Sequence, residues 1–76
     1  MAKSKTELLD EYRDFLHKIA VADTLLEVDG CVALAHENIE LLSDRHYINL
    51  KEENDMKTTV SVFRNKTVKR ILEASE

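Results

Sequence analysis

His36 and Glu40 stand four residues apart, a spacing that makes them neighbours on one side of a helix. An imidazole and a carboxylate so placed can share a proton or ligate a metal ion. A zinc-type site, however, needs three or four donors, and only His17 and His46 remain as further imidazoles. No Cys/His spacing of the structural-zinc kind joins them. His36 therefore reads as the edge of an apolar face hydrogen-bonded to Glu40, and no metal is expected. Cys31 is the only thiol. A thiolate is favoured near a helix N-terminus, but a catalytic cysteine also needs a base and an oriented pocket. The expectation here is a small core residue, reduced, with no intrachain disulfide possible. Carboxylates cluster at Asp10/Glu11/Asp14, Glu37/Glu40 and Glu52/Glu53/Asp55. Acid–base catalysis needs such a group in an apolar cleft, and a domain of this size has little room for one. They read as solvated helix faces, so no catalytic residue, no enzyme and no cofactor are expected.

Charge is segregated along the chain. The net charge is −4, yet residues 56–76 carry a net +3 against −3 over 1–30 and −4 over 31–55. The basic segment includes Lys57, Arg64, Lys66, Lys69 and Arg70. Two readings follow. Arg64, Lys66, Lys69 and Arg70 can contact nucleic-acid phosphates. Alternatively the segment pairs with acidic helices of its own or a partner chain, which suits an acidic protein that is not steered toward DNA as a whole. The aromatic residues Tyr12, Phe15, Tyr47 and Phe63 are the candidate anchors for a protein partner, since aromatics dominate interface energetics. The competing role for all four is core packing.

The elements that must carry these groups are helical. With 76 residues, no proline and one glycine, the chain has few of the turn residues that small all-β folds require. Several glycines would be needed for a P-loop or a dinucleotide-binding loop, so both are excluded. The longest unbroken apolar run, Cys31 to Ala35, is far too short to span a membrane, and no apolar stretch of a signal peptide follows the basic N-terminus. A reducing, cytoplasmic location is the expectation.

Ser4-Lys5-Thr6-Glu7 has the form of a capping box. Apolar residues then recur at steps of three and four from Leu8 to Leu26, predicting one long helix over 5–28 that ends at Asp29-Gly30. Within this stretch Tyr12, Leu16, Asp23, Thr24 and Leu25 faintly resemble the haemolysin-expression-modulating family of small helical bacterial proteins, whose members bind a nucleoid-structuring protein. The rest of the chain departs from that pattern, and no assignment is drawn from it. A second helix is predicted from Cys31 to about Leu42, where Val32, Ala35, His36, Ile39 and Leu42 share a face that Leu34 and Leu41 widen. Such width suggests burial on more than one side. Residues 47–63 support two conformations. Asn49-Leu50-Lys51-Glu52 starts a helix, whereas the β-branched run Thr58–Val62 suits a hairpin with Tyr47–Leu50. Helix is favoured, and Thr67 to Ala74 is helical in either case.

The expectation is thus one all-α domain over 1–76, a three-helix bundle with a long first helix. A first helix of that length outruns the second, so a homodimer or higher oligomer is expected to complete the bundle. The expected function is that of a small non-enzymatic regulator or adaptor acting through protein–protein contact. A nucleic-acid-binding regulator is the alternative.

Overall fold

The computed structural model describes residues 3–75. It is all-α, with helices α1 (Lys5–Val21), α2 (Leu25–Asp44) and α3 (Leu50–Ala74), and no strand among the described residues. At about 1.5 Å per residue the three measure roughly 25, 30 and 37 Å.

α1 starts where its cap requires. Ser4 is extended, and its hydroxyl accepts from the Glu7 N–H at 3.1 Å. The helix ends at Val21 rather than continuing to residue 28. Ala22 takes an extended backbone, and Thr24 becomes the N-cap of α2, its hydroxyl accepting from the Glu27 N–H at 3.1 Å. Thr24-Leu25-Leu26-Glu27 is a cap sequence in its own right, and it outcompetes the unbroken apolar spacing around it. α1 is consequently the shortest helix rather than the longest. Gly30 is not a helix terminator: it lies inside α2, and no glycine has a positive φ.

α2 ends in a Schellman arrangement. The Tyr47 N–H donates to the Leu42 carbonyl at 2.9 Å and the His46 N–H to the Ser43 carbonyl at 3.0 Å. His46 supplies the left-handed residue, with φ 59°. Tyr47, Ile48 and the cap Asn49 then lead into α3, so Tyr47–Leu50 forms no strand. Asn49 and Glu52 complete a reciprocal capping box. The β-branched run is helical, with the Thr58 and Thr59 hydroxyls donating to the carbonyls of Asn54 and Asp55, at 2.9 and 3.0 Å.

Leu8, Ile19, Val28, Ile39, Leu42 and Val60 form the fully buried centre, with contributions from all three helices. Two polar ties set the register. The Tyr12 hydroxyl donates to the Met56 carbonyl at 3.0 Å, joining α1 to α3. The buried Asn38 amide donates to the Leu8 carbonyl at 3.1 Å and to Glu11 Oε2 at 3.3 Å, joining α2 to α1. Among the described residues, no fully buried side-chain nitrogen or oxygen lacks a hydrogen-bond partner, and no helix is long and apolar enough to cross a membrane.

Candidate interaction surface

α2 is apolar on two sides, but only one is covered. Its inward face presents Val28, Ala35, Asn38, Ile39 and Leu42. The opposite face carries Leu26, Gly30, Ala33, Leu34 and Leu41, which follow at helical steps and are all exposed. Leu26 is 83% exposed, and Leu34 and Leu41 are 44% and 38% exposed. This outer face is the apolar part of α2 that the other two helices leave exposed.

The same face is acidic. α2 contains Glu27, Asp29, Glu37, Glu40 and Asp44 and no lysine or arginine. Among the described residues, none of these five carboxylates lies in an ion pair; the pairs that do form are Lys3–Glu11, Asp10–Arg13, Asp14–Lys18, Glu53–Lys57, Lys69–Glu73 and Asp23–Arg70. Two shallow grooves flank the stripe. One is apolar and runs along the α1–α2 seam between Val21, Ala22, Gly30, Cys31 and Leu34. The other is acidic and lies between Glu37, Glu40, Leu41 and Asp44.

α3 carries the converse pattern over its second half. Val62, Lys66, Lys69 and Leu72 are exposed and follow at steps of four, three and three. Arg64 and Lys66 have no carboxylate within ion-pair distance among the described residues, and the only partner of Lys69 is Glu73 on the same helix at 4.0 Å. Arg70 behaves differently. Its guanidinium donates to the carbonyls of Ala20, at 3.2 Å, and Ala22, satisfying orphan acceptors at the end of α1, with Asp23 at 3.9 Å. That is a helix-capping role, so Arg70 does not stand free beside the other cations.

The aromatic candidates are not gathered on a surface. Tyr12 is 7% exposed with its hydroxyl engaged, and it belongs to the core. Phe15, Tyr47 and Phe63 are half-buried and packed against that core. Phe15 also lies under the Lys18 ammonium, 5.5 Å from the ring centroid. The apolar residues that are accessible are leucines and valines, which the sequence shows only as excess width in an apolar stripe.

The chemistry-bearing residues remain apart. His36 is half-buried on α2, Cys31 is half-buried on the groove wall, and no group of three or more His, Cys, Asp or Glu side chains among the described residues could hold a metal ion. Two carboxylates are held below their usual range. Lys3, with help from Asn38, does so for Glu11. The Ser43 hydroxyl, followed by Lys57, does so for Glu53. Both are stabilising tethers between elements, since neither sits in an apolar cleft. Burial raises the Tyr12 phenol.

Comparison with known proteins yields no family model, no characterised protein and no solved structure that matches this chain.

Proposed function

We propose that this chain is a small non-enzymatic interaction protein, a regulator or adaptor that acts by presenting the outer face of α2 to another polypeptide. The observation that carries this reading is the pairing, on one helix face, of exposed Leu26, Leu34 and Leu41 with carboxylates that lie in no ion pair among the described residues. Completing the burial of those leucines would contribute roughly 3 kcal/mol, at about 2 kcal/mol per fully buried leucine. That is too little for a tight complex once the cost of association is subtracted. Desolvated charge contacts must add to it, and the complex is of the transient kind.

The test is a paired variant, Leu26→Ser with Leu34→Ser, in a side-by-side capture experiment against native extract with mass spectrometry. Both positions are exposed, so circular dichroism and melting should stay close to those of the parent chain. Partners retained by the parent should be lost from the variant. Retention of the same partners by a folded variant rejects the α2 face as the docking surface.

Nucleic-acid binding by Arg64, Lys66 and Lys69 is the second reading, favoured by Arg64 and Lys66 lying in no ion pair among the described residues. A steep fall of affinity with salt would support it, since phosphate contacts release counterions. Arg70 is withdrawn from that set by its capping contacts.

A further inference from the structure

We propose that the acidic outer face of α2 receives the basic outer face of α3 from a second copy of the chain, in a head-to-tail contact. The inference rests on the reading of α2 as a docking surface and names its occupant. Three observations carry it.

The charges are complementary and unspent. Five carboxylates on α2, and Lys66 on the outer face of α3, are without ion-pair partners inside the described fold. Lys69 is held only by a pair at the 4.0 Å limit. Docking α2 on its own copy would instead bring carboxylate to carboxylate, with Glu37 on the apolar stripe itself.

The apolar positions match in spacing. Val62 and Leu72 are ten residues apart on α3, about 15 Å along the axis; Gly30 and Leu41 are eleven apart on α2, about 16 Å. Laid antiparallel, Leu72 enters the apolar groove beside Gly30 while Val62 meets Leu41. Lys69 and Lys66 then fall between those anchors, within side-chain reach of Glu37 and Glu40.

The approach is unobstructed. Gly30 has no atom within 4 Å of the place a Cβ would occupy, so a second helix meets bare backbone there. Because the two faces differ, the contact is heterologous: association continues past the dimer unless its rotation closes a ring.

Sedimentation of the full chain tests this. The average mass should rise above the 8.8 kDa monomer with concentration and fall on adding salt, as expected for opposite charges. Glu37→Lys with Glu40→Lys should weaken association by about tenfold or more, and so should Lys66→Glu with Lys69→Glu. All four positions are exposed, and circular dichroism checks that each variant folds. An equimolar mixture of the two variants should regain association, because each reversed face then finds an opposite one. A parent chain that stays monomeric at every concentration and salt overturns the proposal, while leaving α2 as a site for a different protein. Association that strengthens with salt, or survives both reversals, also overturns it, the first pointing to an α2–α2 contact.

Discussion

Replacing Gly30 with alanine tests the helix partition at its most informative position. In the structure Gly30 lies six residues into α2 with helical backbone, and an added methyl group meets nothing within 4 Å. Glycine in a helix interior is less favourable than alanine by about 0.8–1 kcal/mol, through the backbone freedom it loses on folding. No steric cost offsets that gain, so Gly30→Ala should stabilise the fold by about 1 kcal/mol. For a domain of this length that is a rise in melting temperature of about 4–8 °C. The measurement is urea unfolding followed by circular dichroism, with a raised midpoint and an unchanged slope. The alternative partition, with Asp29-Gly30 closing a long first helix, makes the opposite prediction. A glycine in left-handed conformation would cost about 1–2 kcal/mol to replace with an L-residue. The two partitions therefore differ in sign and by about 2–3 kcal/mol. A lowered midpoint would refute the break at Ala22–Thr24.

Other perturbations follow from the same contacts. His46→Gly should stabilise by about 1 kcal/mol in the same unfolding assay, because φ 59° is strained for histidine and natural for glycine at the end of a Schellman motif. Arg70→Met should cost about 1–2 kcal/mol by leaving the Ala20 and Ala22 carbonyls without their donor; the loss should persist in high salt, where a mere surface ion pair with Asp23 would be screened. Glu11 and Glu53 have folded-state affinities for protons below that of the unfolded chain. Their stabilisation is thus fully present above the ordinary carboxylate value of 4.5 and is lost as pH falls through the lower folded values. Glu11→Gln with Glu53→Gln should flatten the decline in unfolding midpoint between neutral pH and about pH 3; an unchanged acid slope would refute the tethering role.

The helical class and the starts of α1 and α3 were legible in the sequence. Ser4 and Asn49 cap where their patterns place them. The α1–α2 break was not legible from periodicity, because Leu25 and Leu26 continue the apolar spacing through it and hide the Thr24 cap. Gly30 misled for the complementary reason. A lone glycine reads as punctuation, although a glycine inside a helix costs only about 1 kcal/mol and tertiary packing outweighs that. The helix-or-hairpin choice at Thr58–Val62 turned on packing rather than propensity, since the helix carries Val60 and Thr67 into the core. At the surface, aromatic type was a poor guide to accessibility. Tyr12 is large enough to fill the core and has a carbonyl within reach for its hydroxyl, whereas the wide stripe of α2 concealed an uncovered face.

The reach of Arg70 back to Ala20 and Ala22 also makes the joint between α1 and α2 a long-range feature. The donor stands 50 and 48 residues beyond its acceptors, so those carbonyls are satisfied only when α3 packs against the other two helices. One side chain thereby ties the local end of a helix to the cooperativity of the whole bundle.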